Sequence, residues 1–510
     1  MDLSHWIERN ARFAPGRCAI RFAGHDISYA ELLARIERAA AALAAAGVGA
    51  GDVVAYLGLN NPLILELLFA CARLGAMVAP LNWRLAPPEI LRMLEDCRPR
   101  LLFAEAAFVN APDALRPPAH TRRVIVDLPG PAGVESWPEF LAHAADGAAY
   151  PHRGDADTPL LLCYTSGTTG TPKGVVLDQG ALLCNAINSA HMHDMTSQDR
   201  ILTTTPMFHV GGLNIQTLPA LHVGATVTLH PRFDAATVLE TIEREQITLA
   251  VLVPAQLTPL LELPGWSAAR IRSLRMITTG STIINESFAR RVNAHGVPLA
   301  QVYGSTETAP AAAYQRAADA FERPGCAGAP ALHSELRIVD GDGKPVPAGI
   351  DGEILVRGRH VMRGYLNQPE LTAAVLREGW YHTGDYGHLD ADGYLYVVSR
   401  KRDMIITGGE NVYPEEIESV LLECPGVAEV CVLGRPDERL GEKIVAAVVL
   451  RAGAGLEAGA VLAFLQGRIA RYKHPREVHF VEQLPRTPLG KVMRGEVRSR
   501  MFPDRNGASA

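Results

Sequence analysis

The sequence predicts an α/β protein with a large N-terminal domain of doubly wound, mostly parallel sheets, a small antiparallel subdomain, and a small α+β domain at the C-terminus. Three observations carry that prediction. Stretches of helical period alternate with short apolar runs over most of the chain, the rhythm of βαβ units. After about residue 320 the texture changes to short strands split by Asp-Gly turns, as in "LRIVDGDGKPVPAGIDGEILVRG", which is a hairpin pattern. From about residue 403 a compact unit mixes helix-like and strand-like runs.

Taken in order, "SYAELLARIERAAAALAAAGV" (28–48) is Ala-rich with helical period. Ser28 is its expected N-cap, Glu31 completes a capping box, and Gly47 stops it. "DVVAYLG" reads as a buried strand, "NPLILELLFACARLGA" as a helix and "MVAPLN" as the next strand. Further on, 225–230 is a strand, 235–246 a helix and 249–254 a strand. Strands at 274–280 and 299–307 each end in a glycine turn. In the C-terminal unit "YPEEIESVLLECPGV" and "GAVLAFLQGRIARY" read as helices, "AEVCVLG" and "KIVAAVVL" as strands, and "PDRNGASA" as a disordered tail. The domains expected are 1–398 and 404–510, joined through 399–403, and no internal repeat is visible.

Composition narrows the function. With 48% hydrophobic and 20% charged residues the chain has ample core. A net charge of -6 argues against a nucleic-acid partner. The eight cysteines include no C-x-x-C pair and read as reduced core residues of a cytoplasmic protein. The first residues lack a signal-like apolar region, and no apolar run is long enough to span a membrane.

The chemistry is carried by five separated stretches. "YTSGTTGTPKGV" (164–175) offers Thr165, Ser166, Gly167, Thr168, Thr169, Gly170 and Lys173, hydroxyls and bare backbone ending in a cation. A core cannot use so many unpaired hydroxyls, whereas a polyphosphate can. It is not a Walker A loop, because Pro172 precedes Lys173 and Gly174 follows it. "YGSTE" (303–307) places an aromatic that can stack on a base beside Glu307, a hard oxygen ligand suited to Mg²⁺. A capped helix start would explain its hydroxyls equally well. "YHTGD" offers Asp385, either a turn aspartate or a ribose acceptor. "SRKRDMIITGGENVYPEEIE" holds Arg400, Lys401 and Arg402 where composition shifts, either a linker or a solvated charge run. In "PRTPLGKVMR", Lys491 taken alone reads as a solvent-facing lysine. The hydroxyl-rich turns at 165–170, 278–282 and 304–308 follow strands, where open α/β sheets bind ligands.

In this order and spacing the five stretches resemble the adenylate-forming superfamily of acyl- and aryl-CoA synthetases, nonribosomal-peptide adenylation domains and luciferase, over residues 5–497. The resemblance implies a mobile C-terminal domain, a hinge at 399–403, an active site between the domains, and a two-step reaction using ATP, Mg²⁺ and coenzyme A. A carboxylate attacks the α-phosphorus of ATP to give acyl-AMP and pyrophosphate, and a thiol then displaces AMP. It implies that 165–174 hold the departing β- and γ-phosphates, that Thr306 touches the α-phosphate, and that Glu307 binds the metal. Gly280, Ser281 and Thr282 with Tyr303 frame the adenine, and Gly304 and Ser305 belong to the same nucleotide loop. Asp385 and Arg400 grip the ribose. Lys491 is the adenylation lysine. His209 in "PMFHVGGL", otherwise a satisfied core histidine, matches the position beside the carboxylate and the thiol channel. Gly408 and Gly409 line the pantetheine tunnel, and Arg471 and Lys473 lie near the CoA phosphates.

The chain departs from the family in several places. Ser281-Thr282 replaces Ala-Pro after Gly280, Ser399 replaces a hinge glycine, and Arg402 stands at the pivot. Val302 replaces a common glycine, which would narrow the acid pocket towards a compact aryl or medium-chain acid. Met207, Asn214 and 209–215 are expected to help line that pocket. The expected activity is an AMP-forming fatty- or aryl-acid–CoA ligase without a nucleic-acid partner and with room for a homodimer. A stand-alone adenylation enzyme loading a carrier protein and a luciferase-like monooxygenase are the alternatives.

Overall fold

Ser28 does begin a helix, Tyr29–Ala45, and its side chain accepts a hydrogen bond from the Glu31 amide at 3.1 Å. The capping box is only half formed: the Glu31 carboxylate accepts from Arg35 one turn on instead of reaching back. The ion pair outcompetes a reciprocal cap on this exposed turn. Asn61 caps the helix Pro62–Leu74 by accepting from Leu63, and Gly75 (φ 75°) closes it in the left-handed conformation. Every residue of that helix is buried, in keeping with an apolar run broken only by Glu66 and Arg73.

The computed structural model describes residues 1–109, 115–127, 134–144, 152–165, 172–280, 284, 286–400, 403–407, 410–437, 440–466, 468–469, 471–487, 490 and 492–502. Two compact units divide the chain, Met1–Leu336 with Leu355–His382, and Arg337–Ile354 with Thr383–Ala510.

The first unit holds two large sheets. One runs Ala329–Pro330, Ala313–Tyr314, Leu299–Tyr303, Met276–Thr279, Leu249–Val251, Arg200–Thr203, Thr226–Leu229, Cys18–Phe22, His25–Ser28. Its central pairings are all parallel and only its two ends turn antiparallel. The other runs Gly364–Tyr365, Lys173–Asp178, Pro159–Thr165, Met77–Pro80, Val53–Leu57, Leu101–Ala104, Arg122–Ile125, Glu135–Ser136. It too is parallel except where Lys173–Asp178 pairs with its neighbours. The doubly wound architecture predicted from the βαβ rhythm is therefore present. Strand Trp380–Leu389 begins in this unit, antiparallel to Leu376–Arg377.

In the second unit the same strand continues antiparallel to Leu395–Arg400. A further sheet runs Glu410–Val412, Ile405–Thr407, Gly441–Leu450, Val427–Asp437, with Glu477–Phe480 parallel to Gly441–Leu450. Helix Pro414–Leu422 packs Ile417 and Leu421 into the core beside it. The helix expected over 459–472 is shorter, Ala458–Phe464, followed by a single 3₁₀ turn at Arg471–Lys473. The sequence reason is Gly467 just beyond its end, a poor helix former. The tail expected to be disordered, 503–510, lies outside the described residues. All eight cysteines are free, and no described helix is long and apolar enough to cross a membrane.

Candidate active site

Two strand ends in the first unit lie side by side. Met276–Thr279 and Leu299–Tyr303 are parallel neighbours, with Thr279 level with Gln301, so Gly280 and Tyr303 emerge side by side at their carboxyl ends. Gly280 must be glycine here, because a Cβ would sit 2.7 Å from the Val302 carbonyl oxygen and 3.0 Å from its Cγ1. Gly304 is equally constrained: a Cβ would fall on the Pro310 carbonyl oxygen. After it, Thr306–Thr308 form a 3₁₀ turn whose Thr308 hydroxyl accepts from the Ser305 amide at 2.9 Å.

Buried asparagines clamp that turn from behind. Asn214 donates to the Ala309 carbonyl at 3.1 Å, Asn185 accepts from the Ala311 amide at 3.0 Å, and Asn188 donates to the Ala311 carbonyl at 3.3 Å. The sequence predicts Asn214 near the acid pocket, and in the structure its side-chain amide holds this loop. Asn185 and Asn188 gave no signal, because single asparagines inside a helical run look like any polar substitution.

Glu307 is the hub. Its Oε1 accepts a hydrogen bond from the Tyr365 hydroxyl at 2.8 Å, and its carbonyl accepts from the Met362 amide at 2.8 Å. The Tyr365 ring in turn carries Lys173, whose Nζ lies 5.5 Å from the ring centroid. Burial, and next the Glu307 charge, push the Tyr365 phenol well up, so it stays a donor. Lys173 faces Thr165 across the last pair of an antiparallel hairpin. The structure thus gathers Thr165, Lys173 and Glu307, predicted from two distant stretches, through a tyrosine the sequence reading missed. "RGYLNQPE" carries no hydroxyl run or charge pattern to flag it. Ser166, Gly167, Thr168, Thr169, Gly170, Ser281 and Thr282 lie outside the described residues.

His209 stands at the start of the short helix Val210–Asn214. Burial, aided by the Arg84 charge, lowers its pKa to about 4, so the imidazole is neutral at pH 7. Its Nε2 is buried without a hydrogen-bond partner, which a satisfied core histidine would have. The Phe208 ring lies 4.6 Å from the imidazole. Asn60 places this segment, accepting from the Met207 amide at 2.8 Å and donating to the Thr205 carbonyl at 3.1 Å. Ser305 Oγ, Thr279 Oγ1 and Asn214 Oδ1 are also buried without partners. Unsatisfied polar atoms around adjoining strand ends fit a polar ligand rather than a sealed core.

The second unit brings together two other predicted residues. Asp385 is directly opposite Arg400 on paired antiparallel strands. The Asp385 amide donates to the Thr383 hydroxyl at 3.0 Å, and Gly384 takes a φ of 69° that makes this turn. Lys473 is ion-paired with Glu416 at 2.7 Å, and Arg471 is exposed. Gly408, Gly409, Lys401, Arg402 and Lys491 lie outside the described residues. Just beyond Lys491, Arg494 is bolted down: it donates to Glu418 at 2.6 and 2.8 Å, to Glu415 at 3.0 Å and to the Val432 carbonyl at 2.7 Å. The sequence gives no signal for Arg494, whose carboxylate partners lie on the helix Pro414–Leu422.

The model of the AMP-binding enzyme family matches residues 7–366, and that of the AMP-binding enzyme C-terminal domain matches 416–491. The chain belongs to the AMP-binding enzyme family. This AMP-binding enzyme is 55% identical to the indoleacetate–CoA ligase of Aromatoleum aromaticum, over 98% of each chain. It is 41% identical to a feruloyl-CoA synthase of an Amycolatopsis species, over 98% of this chain and 99% of the relative. The structure of O-succinylbenzoate coenzyme A synthetase from Bacillus subtilis with ATP and magnesium ion superposes with a TM-score of 0.84 at 33% identity, covering 97% and 99% of the two chains. The enzyme is an AMP-forming acid–CoA ligase.

Proposed function

We propose that this ligase activates an aromatic carboxylic acid of arylacetate size, using ATP with Mg²⁺ and passing the acyl group to coenzyme A. The observation that carries the reading is the 55% identity, along the full length, to an enzyme named for indoleacetate. Val302 is consistent with it: the side chain is 7% exposed and packs at the strand end beside Gly280, where the sequence predicts a narrowed acid pocket.

The residues divide the work as follows. Transfer of AMP to a carboxylate demands neutralisation of phosphate charge, because the nucleophile is itself an anion. Lys173 on its hairpin and the glycine-hydroxyl strip 166–170 supply cation and amide donors for the β- and γ-phosphates. Glu307 has one carboxylate oxygen fixed by Tyr365, which leaves the other for Mg²⁺. Held by Glu307, a magnesium ion would supply positive charge to offset that of the phosphates. Thr306 meets the α-phosphate. Tyr303 and Gly280 form the adenine edge with Ser281 and Thr282. Asp385 and Arg400 hold the ribose hydroxyls, and Lys491 joins the carboxylate to the α-phosphate. Neutral His209 offers Nε2 as a hydrogen-bond partner to the acid's carboxylate or the incoming thiol, without a charge to be desolvated. Gly408 and Gly409 flank pantetheine, and Lys473 reaches CoA phosphate by exchanging its Glu416 partner. A homodimer and a cytoplasmic location belong to the same proposal, read by sedimentation velocity and by cell fractionation.

The test is kcat/KM for thioester formation across indoleacetate, phenylacetate, ferulate, benzoate and straight-chain acids from hexanoate upward. Arylacetates should lead. A straight-chain acid in front would refute the substrate class and leave the ligase reaction standing. Thioester formed only on a carrier protein would refute the coenzyme A acceptor.

A further inference from the structure

Beside the first helix, Ser4–Phe13, two imidazoles and two carboxylates meet at the segment 152–154. Asp2 is the centre, its side chain fully buried. Its Oδ1 accepts from the Ser4 amide at 2.9 Å, which fixes the carboxylate. Its Oδ2 faces both rings, 2.5 Å from His152 Nδ1 and 3.5 Å from His5 Nδ1. The two rings lie 4.2 Å apart between centroids. Their far nitrogens both turn to Glu8, with His152 Nε2 3.1 Å from Oε1 and His5 Nε2 3.9 Å from Oε2. Arg73 holds Glu8 from the other side in an ion pair. His5 Nδ1 also lies 3.2 Å from the Asp2 carbonyl, and Ser4 Oγ lies 3.5 Å from His152 Nδ1.

One buried carboxylate thus faces both δ nitrogens, and a second carboxylate backs both ε nitrogens. A metal-ligating imidazole characteristically donates its other N–H to such a carboxylate, which fixes tautomer and ring orientation. The three inner atoms lie within 4.8 Å of one another. Tetrahedral zinc, with bonds of about 2.0–2.2 Å, spaces its ligand atoms about 3.3 Å apart. The 2.5 and 3.5 Å separations here bracket that value. The His5 and His152 side chains are 21% and 32% exposed, so water can fill a fourth position.

We propose that Asp2, His5 and His152 bind one divalent transition-metal ion of the zinc class, with Glu8 orienting both imidazoles. Nitrogen and carboxylate donors suit Zn²⁺, Co²⁺, Ni²⁺ and Cu²⁺ over Mg²⁺ or Ca²⁺. The ion ties the N-terminal helix to segment 152–154. None of these residues takes part in the ligase chemistry.

The test uses the full chain without a histidine tag, stripped with a chelator, then titrated with Zn²⁺ by calorimetry and with Co²⁺ by visible absorption. One equivalent should bind, and Co²⁺ should show the intense bands of a four-coordinate site. His5→Ala and His152→Ala should each weaken Zn²⁺ binding by at least the ~10–100-fold that Glu8→Gln, removing the outer carboxylate, is expected to cost. Ligase turnover in all three variants should match the parent, which shows that they fold. Absence of binding to the folded parent, or unchanged affinity in the His5→Ala/His152→Ala double variant, would overturn the proposal and leave the cluster a hydrogen-bond network only.

Discussion

Tyr365→Phe isolates the contact on which the metal assignment of Glu307 depends. The substitution deletes one hydroxyl, 2.8 Å from Glu307 Oε1, and keeps the ring that Lys173 overlies. A hydrogen bond to a charged group is worth about 1.5–3 kcal/mol. At 1.36 kcal/mol per tenfold in rate, its loss costs roughly 10- to 150-fold. Glu307 is only half-buried, so water can replace part of the bond, and about tenfold is expected. ATP–pyrophosphate exchange should therefore slow about tenfold, with a raised Mg²⁺ requirement, while thioester formation from supplied acyl-AMP is spared. Glu307→Gln, which removes the charge itself, should cost about 10²–10³ in the same assay. The decisive arm is the double variant. If Tyr365 acts by holding Glu307, Tyr365→Phe adds little once Glu307 is Gln. Full additivity of the two losses would refute the argument.

Lys491→Ala should abolish adenylation, with a loss of about 10²–10³, and spare thioester formation from supplied acyl-AMP. Equal loss in both half-reactions, read by exchange and by thioester assay, would contradict the two-step assignment. Val302→Gly should shift kcat/KM towards longer acids, each added methylene being worth roughly 1–3 kcal/mol once it fits. An unchanged rank order in the folded variant removes Val302 from the pocket wall. Acid should weaken the fold through buried imidazoles. Burial lowers the pKa values of His193, His209 and His360 to about 4. Below the unfolded value near 6.5 the unfolded chain takes up protons that these rings refuse, so stability falls as pH drops from about 6.5 to 4. The limit is about 1.4 kcal/mol per pH unit for each ring. Urea midpoints at several pH values should show the fall, with a shallower slope in His360→Leu; identical slopes would contradict it.

Much of the first unit was legible because it is local. Apolar runs and helical period predict strands such as Val53–Leu57 and the helix Pro62–Leu74, and capping residues fix their ends. Thr165, Lys173 and Glu307 stand out by composition alone, as hydroxyls with a cation and as a carboxylate beside a glycine turn, and the structure links them through Tyr365. What supports them does not stand out. Tyr365 reaches Glu307 across 58 positions, and Asn185 reaches Ala311 across 126. Such partners are chosen by sheet order and loop path, which no window of sequence contains. Arg494 shows the same limit, since its carboxylate partners precede it by 76 and 79 positions. The shortened helix Ala458–Phe464 and the half-formed cap at Ser28 are different failures, in which a local rule met a stronger local competitor.

The central claim is that the acid's own oxygen attacks the α-phosphorus of ATP. It is tested by turnover of indoleacetate labelled with ¹⁸O in both carboxylate oxygens, with ATP, Mg²⁺ and coenzyme A, and mass analysis of the products. Attack through an acyl adenylate breaks the bond between the acyl carbon and the bridging oxygen when the thiol enters, so one labelled oxygen must leave on AMP and one remain in the thioester. Label in AMP, with unlabelled pyrophosphate, is the result predicted. Unlabelled AMP, or label in inorganic phosphate alongside ADP, would contradict the account.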